Sequence, residues 1–590
     1  MRVSTGGGLH MSVWITIYGG AGEIGGNKIL IEMSRGSRRQ LEAIRILMDF
    51  GRSFSRYGRY FDGIFVRERA TRGLLDLMAT GLIPPLEGLY RDDLTPFLNT
   101  PPLEESNPEE PSRHRGQGSD ALSCFWQRFR GRKDYRDLRR EGLAVDAILL
   151  SHAHLDHCGD LSFVRPEIPV FSSRMTAFIA KAIQDSGKPG AFGVVYVNPH
   201  TTKENGLLEA DRTRGYLWRR WGFLDGRPEG NPNPEDPFAS AWSFWIWPPV
   251  RNKQPGSGVG SGEEPFPFNL RWWPLDHSLF GTTGFALETP AGWIAYTGDI
   301  RFHGKKRQLS IRFMEELSQL RPLALLCEGT YLMAHRHGTE EEVHRNCLAA
   351  VRAAQGRFVV ADFAPRNVER LITFLEIARE TGRRLVIQPK DAYLLTAMRL
   401  ADPASVPDLR EEPYLAVYDD PKGQQYRWEQ VTRQAYRDRL VGFNELRAHP
   451  GDYILAFSLW DMPDLLDIEH VMGERPGGIY IYSNSQAYDE ESKVDLVRLW
   501  NWIEHFGMEP RGLRPASRDA LGRVIEVEVE PGFHASGHAS GPELLEWVRE
   551  VHPRVLIPIH TEQPEWWIRE LGGTGIRVEI PEYARPIRLE

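Results

Sequence analysis

The feature that most constrains this chain is a dense run of metal-ligand side chains at the end of an apolar segment. Residues 148–150 read Ile-Leu-Leu and predict a buried strand, and residues 152–157, just beyond it, read His-Ala-His-Leu-Asp-His. Side chains two residues apart in extended backbone share a face, so His152 and His154 can hold the same metal ion. The aspartate and the last histidine of the motif follow the turn, where we expect at least one of them to face a second ion. A histidine-rich surface loop seldom has this spacing, so the motif predicts a metal site.

Three further predicted strands end in residues of the same chemical kind. His277 follows an apolar run, Asp299 follows a hairpin pattern over residues 284–296, and His560 follows the strand predicted at residues 554–559. Four such strand ends indicate one site assembled from distant parts of the chain. The donors are all nitrogen or oxygen, which favours Zn²⁺ and leaves Mn²⁺ as the alternative. The predicted metal ligands are His152, His154, Asp156, His157, His277, Asp299 and His560.

Composition limits what else the chain can be. At 590 residues we expect two to four domains, and 41% hydrophobic with 26% charged residues is the balance of a soluble globular protein. No apolar run reaches the length of a membrane span, and residues 1–14 lack the basic and apolar regions of a signal peptide. The four cysteines show no Cys-x-x-Cys spacing, which predicts a cytoplasmic protein without a thiolate zinc site. Because the net charge is −8, nucleic-acid binding would need a local basic groove.

More than two hundred residues separate Asp299 from His560, and their pattern is that of an ordered α/β domain. Predicted strands alternate there with predicted helices, which implies a parallel sheet. The strands are predicted at residues 323–327, 358–362, 384–388 and 479–483, and the helices at residues 340–354, 367–381, 392–400 and 493–506.

The pattern His-x-His-x-Asp-His resembles the signature of the metallo-β-lactamase superfamily, where it opens a two-zinc hydrolase site at the edge of an αββα sandwich. Residues 19–27, Gly-Gly-Ala-Gly-Glu-Ile-Gly-Gly-Asn, and residues 48–51, Met-Asp-Phe-Gly, resemble the opening of the ribonuclease J branch. Asp49 matches the superfamily's first motif, whose carboxylate supports the metal ligands without binding the ion.

The α/β insert placed before the last histidine resembles that of the β-CASP nuclease family. Glu328 in Cys-Glu-Gly-Thr-Tyr-Leu matches the first accessory motif, and residues 363–368, Phe-Ala-Pro-Arg-Asn-Val, match the Phe-Ala-Ser-Asn-like turn. His538 in His-Ala-Ser-Gly-His-Ala-Ser matches the second motif, and His560 the third. Two features depart from ribonuclease J. Its Thr-Gly-Ser-Gln-Gly-Glu-Pro-like segment is not evident near residues 456–460, and the chain ends thirty residues after His560, so we expect the extra C-terminal domain to be missing.

The resemblance implies an α/β protein, a metallo-β-lactamase αββα sandwich with an inserted α/β (β-CASP) domain of mainly parallel sheet. We predict the sandwich over residues 1–331, with insertions at about 97–120 and 205–265, the β-CASP domain over 332–526, and the return to the sandwich over 527–590.

Two aromatic stretches in the second insertion have their own interpretations. Residues 212–221 interleave arginine with aromatic residues, which could grip a single nucleic-acid strand, although packing on the sandwich is the favoured interpretation. Trp242, Trp245 and Trp247 have a spacing that predicts a packed strand.

The resemblance and the ligand set together predict a metal-dependent nuclease that hydrolyses RNA phosphodiester bonds. The expected activity is that of a ribonuclease J-like exonuclease, with endonuclease activity left open, whose products carry a 5′-phosphate. Two divalent ions would share Asp299 and a bridging hydroxide that Asp156 helps to orient. The predicted holders are His152, His154 and His277 for one ion, and Asp156, His157 and His560 for the other.

The residues outside the ligand set have predicted roles with alternatives. His538 is the predicted general acid, kept protonated by Glu328. His534 and Ser536 are predicted to contact a substrate phosphate, although His534 could instead cap its turn. A DNA nuclease remains open because nothing in the site requires a 2′-hydroxyl. A small-molecule hydrolase, such as a thioesterase or lactonase, is opposed by the α/β insert. The expected partner is therefore an RNA or DNA substrate and no membrane, with the oligomeric state open.

Overall fold

The chain folds around three large β-sheets. This computed structural model describes residues 12–37, 40–62, 66–95, 126–187, 193–211, 213–248, 266–334, 338–364, 366–485 and 490–590. The predicted insertion at about 97–120 lies outside the described residues, and so do residues 249–265 of the second insertion. Among the described helices, none is long and apolar enough to cross a membrane.

The first sheet joins the two ends of the described chain. Its strands, from one edge to the other, are Trp221–Phe223, Val170–Ser172, Ala147–Leu149, Gln40–Phe50, Lys28–Ser37, Ser12–Gly19 and Ile587–Leu589. The first four of these run parallel to one another, and the remaining neighbouring pairs are antiparallel.

The second sheet faces the first across an apolar core. Its strands, in order, are Leu270–Pro274, Thr283–Thr289, Gly292–Tyr296, Ala324–Cys327, Val555–Pro558 and Arg577–Val578. The alternate residues of both sheets that point inward are apolar and fully buried, among them Ile15, Ile31 and Ile46 from the first sheet and Phe285 and Ile557 from the second. Burying one face of each sheet removes this apolar surface from water, at about 25 cal/mol per Å², and holds the layers together.

Helices cover the outer faces of these two sheets. The outer layer of the second sheet consists of Arg307–Leu320, Gly541–Val551 and Glu565–Glu570. The helices beside the first sheet are Phe54–Tyr57, Leu75–Ala79, Leu155–Cys158, Arg174–Ser186 and Ala241–Ile246. The four layers therefore form an αββα sandwich, as predicted.

The third sheet is parallel throughout. Its strands, in order, are Leu440–Val441, Leu415–Tyr418, Arg384–Ile387, Tyr453–Leu455, Val359–Asp362, Ile479–Tyr482 and Glu509–Arg511. One face carries the helices Glu340–Ala353, Val368–Thr381, Pro389–Ala401 and Arg427–Ala435, and the other carries Phe443–Ala448, Asp464–Met472 and Glu490–Phe506. The predicted α/β insert of mainly parallel sheet is confirmed.

Four two-stranded ribbons complete the described fold. They pair Leu86–Glu87 with Arg136–Asp137, Tyr196–Val197 with Leu217–Trp218, His200–Thr202 with Leu208–Ala210, and Leu513–Arg518 with Val524–Val529.

The aromatic residues of the second insertion pack inside the protein. Trp218 and Trp221 are buried, and Arg219 is buried with its guanidinium donating to the carbonyl oxygens of Val194 and Leu161. Their side chains are therefore unavailable for gripping a nucleic-acid strand, in agreement with the favoured interpretation. The strand predicted around Trp242 and Trp245 was wrong, because residues 241–246 form a helix whose capping residue, Ser240, accepts a hydrogen bond from the backbone of Ser243.

Candidate metal centre

Glycines let the chain wrap closely around the histidine motif. The loop at residues 19–27 and the residue Gly51 both touch the helical turn that carries Asp156. A Cβ atom on Gly51 would lie 1.6 Å from the carbonyl oxygen of Asp156, and one on Gly25, whose φ is +76°, would lie 2.9 Å from its Cβ. No side chain fits at Gly51, so glycine there is required by the close approach of two backbones. The glycine-rich loop thus positions the metal motif.

The first group of predicted ligands converges at the carboxyl ends of three strands. His152 Nε2 lies 3.0 Å from His154 Nδ1, which in turn lies 3.2 Å from His277 Nε2. Oδ2 of Asp299 is 3.3 Å from His152 Nε2 and 3.7 Å from His277 Nε2. Tetrahedral ligands at the usual Zn–N distance of about 2.0–2.1 Å lie roughly 3.3 Å apart, so these separations suit a single ion.

The second group forms on the other side of the same aspartate. Oδ1 of Asp299 is 3.2 Å from His157 Nε2 and 3.9 Å from His560 Nε2. Asp156 Oδ2 lies 3.4 Å from His560 Nε2 and 3.9 Å from His157 Nε2. Each carboxylate oxygen of Asp299 therefore faces a different ligand group, which is the arrangement a bridging carboxylate needs.

Unsatisfied atoms fit a cation between these groups. His157 Nε2 and Asp299 Oδ1 are buried and, although they lie 3.2 Å apart, form no hydrogen bond with each other or with another atom of the described structure. Leaving such atoms unpaired costs free energy, and a divalent ion would satisfy both at once. The donor set is imidazole nitrogen and carboxylate oxygen, the set that Zn²⁺ and Mn²⁺ accept.

Hydrogen bonds on the far side of each ring fix its tautomer. Ser151 Oγ donates to Asp49, so it accepts from His152 Nδ1–H at 3.0 Å. Thr330 Oγ1 donates to Glu328, so it accepts from His560 Nδ1–H at 2.9 Å. The His277 Nδ1–H bonds the carbonyl oxygen of Gly537 at 2.5 Å, and that of His157 bonds Asp49 Oδ2 at 2.7 Å. In all four rings, Nε2 keeps its lone pair for the metal.

Asp49 occupies the supporting position that the first-motif resemblance implied. Its buried carboxylate accepts hydrogen bonds from the Ser151 backbone, the Ser151 hydroxyl, the His157 ring and the Tyr296 hydroxyl. Its φ of 55° is in the left-handed region that residues other than glycine rarely adopt, and His560 has a φ of 52°. Strained backbone at these two positions is typical of functional sites, where surrounding bonds hold it.

The pKa shifts of the histidines in the first ligand group agree with metal binding, whereas the carboxylates of Asp299 and Asp156 outweigh burial and hold the pKa of His157 well above its ordinary value. Burial lowers the pKa of His152, and the neighbouring His157 lowers it further. Burial and His152 hold the pKa of His154 well below its ordinary value. Neutral imidazole is the form that binds a metal ion.

His538 and Glu328 form the predicted carboxylate–imidazole pair. His538 Nδ1 is 3.0 Å from Glu328 Oε2, and Glu328 is completely buried. Burial lowers the pKa of His538, but the Glu328 carboxylate outweighs it and raises the value to about 9. His538 is therefore protonated at neutral pH. Its ring centroid lies 5.1 Å from that of His277, so the imidazolium is next to the first ligand group.

The remaining two predicted residues differ in their placement. The Ser536 hydroxyl accepts the backbone N–H of His538 at 3.0 Å, and thus shapes the turn that presents this histidine. Burial, then the charge of Arg370, lowers the pKa of His534 to about 3, so its ring is neutral. His534 lies beside charged residues of the third-sheet domain, outside the groups that could hold a metal ion. Phosphate contacts of Ser536 and His534 stay predictions.

A buried charge network connects the metal ligands to the third-sheet domain. Arg301, two residues after Asp299, pairs with Asp276 at 3.1 Å and with Glu369 of the helix Val368–Thr381. Arg370 of that helix pairs with Glu340 at 3.0 Å. Sequence reasoning missed this network and the supporting residues Ser151, Tyr296 and Thr330. Ser151 and Thr330 stand next to or within the motifs, but their partners are distant in the sequence.

Two family models match separate parts of the chain. Residues 118–335 match the metallo-β-lactamase superfamily model, and residues 524–581 match a model described as the Zn-dependent metallo-hydrolase RNA specificity domain. Together they cover all the predicted ligands in the histidine motif, His277, Asp299 and His560.

Relatives and a solved structure resemble more of the chain. Ribonuclease J of Thermus thermophilus is 21% identical over 443 residues, which cover 71% of this chain and 58% of the relative. Ribonuclease J of Mycobacterium tuberculosis is 23% identical, covering 70% of this chain and 58% of the relative. This chain thus spans a little over half of each relative's length. A structure of a protein of unknown function from Enterococcus faecalis has a TM-score of 0.58 at 18% identity, covering 98% of this chain and all of that one, which shows a shared fold.

Proposed function

We propose that this chain, a ribonuclease J-like protein of the metallo-β-lactamase superfamily, is a metal-dependent ribonuclease that cleaves RNA and leaves 5′-phosphates. The observation that carries the proposal is the joint geometry of two ligand groups sharing Asp299, with the protonated His538 beside them. The names of the RNA specificity model and of the ribonuclease J relatives favour RNA over the alternative substrates.

Two groups of residues are proposed to hold the metal ions that hydrolysis needs. We propose that His152, His154 and His277 hold one divalent ion, and that Asp156, His157 and His560 hold the other, with Asp299 between them. Bound divalent ions lower the pKa of water and neutralise phosphate charge. We favour Zn²⁺, with Mn²⁺ as the alternative. Asp156 is exposed enough to orient the attacking water, since its side chain is 25% accessible.

His538 then serves as the general acid. Its Nδ1–H is directed at Glu328, so its Nε2–H is left to protonate the leaving 3′-oxygen. Glu328 has a second task, because it accepts the backbone N–H of Ile300 at 2.7 Å and so fixes the segment that follows Asp299. His534 and Ser536 stay in the proposal as phosphate contacts.

We also propose the domain boundaries predicted from the sequence and a cytoplasmic location. We place the sandwich at residues 1–331 and 527–590 and the β-CASP domain at 332–526, which contains the third sheet. The described cysteines, Cys158, Cys327 and Cys347, are buried and free, as expected in the reducing cytoplasm predicted for this protein.

The test is cleavage of 5′-labelled RNA and DNA of the same sequence by metal-loaded protein, in Zn²⁺ and in Mn²⁺. We expect RNA to be cleaved to products with a 5′-phosphate; mononucleotides would show exonuclease action and a ladder would show endonuclease action. The control is a variant with both Asp156→Ala and His157→Ala, which should be inactive. Full activity of that variant would refute the two-ion site, and preference for DNA would reassign the substrate.

A further inference from the structure

Arg366 is a charged residue beside the metal centre that the mechanism above does not use. It lies in the turn that follows the strand Val359–Asp362 and precedes the helix Val368–Thr381. Its side chain is half-buried, and no hydrogen bond or ion pair to its guanidinium is found among the described residues. An arginine that is largely removed from water without a partner is uncommon, because its five donors lose their hydration.

The position of this turn is fixed against the metal ligands. Asn367 caps the helix by accepting the backbone N–H of Arg370 at 3.0 Å. In the same turn, Glu369 pairs with Arg301, two residues after the bridging Asp299. The helix end that carries Arg366 is therefore tied by buried ion pairs to the strand end that carries a metal ligand.

The electrostatic neighbours of Arg366 place its charge at the histidine motif. Burial and His152 lower the pKa of His154, and the positive charge of Arg366 adds to that lowering. Burial raises the pKa of the Cys158 thiol at the end of the motif's helical turn, and Arg366 acts against this rise. The nearby carboxylate is that of Asp156. Asp156 directs Oδ2 toward His560 and His157, so it belongs to the second ligand group.

Phosphate is the ligand that best suits the N–H donors of the Arg366 guanidinium. Guanidinium binds phosphate oxygens through two parallel N–H bonds, and an arginine close to a metal site can bind an anion that the ions also attract. We propose that Arg366 binds a backbone phosphate flanking the scissile bond and so sets the register of the polynucleotide over the metal centre. This inference rests on the proposed nuclease function and names the residue that positions its substrate.

The test compares the protein with Arg366→Ala, using oligoribonucleotides in which a single phosphate is replaced by neutral methylphosphonate. Binding is measured by fluorescence anisotropy in a His538→Ala background, where cleavage should be slow. With Arg366 present, we expect methylphosphonate at one linkage next to the scissile bond to weaken binding about 10- to 100-fold. Without Arg366, the unmodified oligonucleotide should bind that much more weakly, and the substitution at that linkage should cost almost nothing.

Two further arms identify the source of the phosphate. Oligonucleotides with a 5′-phosphate or a 5′-hydroxyl are compared; a loss confined to the terminal phosphate would assign Arg366 to end recognition and overturn the backbone assignment. The dependence of binding on salt should fall in slope by about 0.7 in Arg366→Ala, the value for one phosphate contact on a single strand. Arg352→Ala removes an exposed arginine from the neighbouring helix and serves as the control. It should change neither the affinity for the oligonucleotides nor the salt dependence of binding.

Metal content and a conservative variant keep the test decisive. Arg366→Ala should retain the metal of the parent protein. If it loses metal or fails to fold, Arg366→Lys decides, since it keeps the charge but not the paired donors; it should retain the salt slope and lose part of the affinity. Equal sensitivity to methylphosphonate at every linkage with and without Arg366 would refute the inference. If the parent protein binds these oligonucleotides through Arg366 yet cleaves none, the nuclease proposal fails and the phosphate contact stands.

Discussion

Replacing Glu328 with glutamine should make RNA cleavage strongly pH-dependent between about pH 6 and pH 8, where the parent protein should show little change. The Glu328 carboxylate is the strongest influence that raises the pKa of His538, to about 9, against burial that lowers it. A neutral amide removes this influence, so the pKa of His538 should fall to about its ordinary value of 6.5 or below. The general acid then loses its proton within the neutral range.

The magnitude follows from the fraction of His538 that is protonated. At pH 8 this fraction is about 0.9 with a pKa of 9 and about 0.03 with a pKa of 6.5, so kcat should fall about 30-fold. At pH 6 both proteins are mostly protonated, and the difference should be less than about twofold. The free energy of unfolding of the parent protein should also fall as the pH rises. A raised histidine pKa contributes stability that is complete below about pH 6.5 and is lost as the pH rises through 9.

The assay is kcat for RNA cleavage from roughly pH 5.5 to 9.5, with metal content measured for each protein. The alkaline limb of the profile should move from about pH 9 toward pH 6.5 in Glu328→Gln. Glu376→Gln, which removes an exposed carboxylate paired with Lys305, should keep the parent profile. An equal loss of kcat at every pH, with metal retained, would show that Glu328 does not act through the proton on His538.

Three other changes test the ligands and their supports. Asp156→Ala with His157→Ala should halve the bound metal, measured by elemental analysis, and lower cleavage at least about 100-fold, because one ligand group is lost. Asp49→Asn should weaken metal binding about 10- to 100-fold in competition with a chelator, because only one of its two side-chain atoms can accept. If the amide oxygen keeps the His157 ring and the Tyr296 hydroxyl, the amide nitrogen faces the Ser151 backbone N–H that Oδ1 of Asp49 accepts. Arg301→Met should lower the free energy of unfolding in urea by about 3–5 kcal/mol, because it leaves buried carboxylates unpaired.

Each of these three predictions can be refuted by a specific result. Full metal content in the double variant would place the second ion elsewhere. Unchanged affinity in Asp49→Asn would mean that the metal ligands do not depend on both oxygens of the Asp49 carboxylate. For Arg301→Met the matched control is Arg312→Met, an exposed arginine paired with Glu316, which should change stability by less than about 1 kcal/mol. Equal effects of the two arginine variants would show that the buried network contributes no more than a surface pair.

The ligand residues could be predicted because the signals that identify them, the residue type and its position after an apolar strand, lie in a short stretch of sequence. His277 and His560 each follow an apolar strand, and residue type together with strand position indicates a ligand whatever lies next to it. The structure brings these residues into the groups expected, and their roles as metal ligands are proposals. The parallel third sheet could likewise be predicted from the alternation of strands and helices, whereas the αββα sandwich was expected from the resemblance of the histidine motif to the metallo-β-lactamase superfamily.

The supports could not be predicted because their meaning depends on distant partners. Tyr296 looks like an ordinary strand residue until its hydroxyl meets Asp49, 247 positions earlier. Arg301 is one of many arginines until it is enclosed by Asp276 and Glu369. The helix at residues 241–246 was missed because tryptophan spacing was given more weight than the Ser240 cap, a local signal that was present in the sequence.

Because His560 lies late in the chain, the metal site is completed late during protein synthesis. The strand Val555–Pro558 lies inside the second sheet, between Ala324–Cys327 and Arg577–Val578, so that sheet stays incomplete until these late strands have left the ribosome. His560 follows this strand and completes the second ligand group. We therefore expect a growing chain to carry the histidine motif for hundreds of residues without the proposed nuclease activity. Ribosomal and messenger RNA beside the nascent protein would be protected until His560 joins the site.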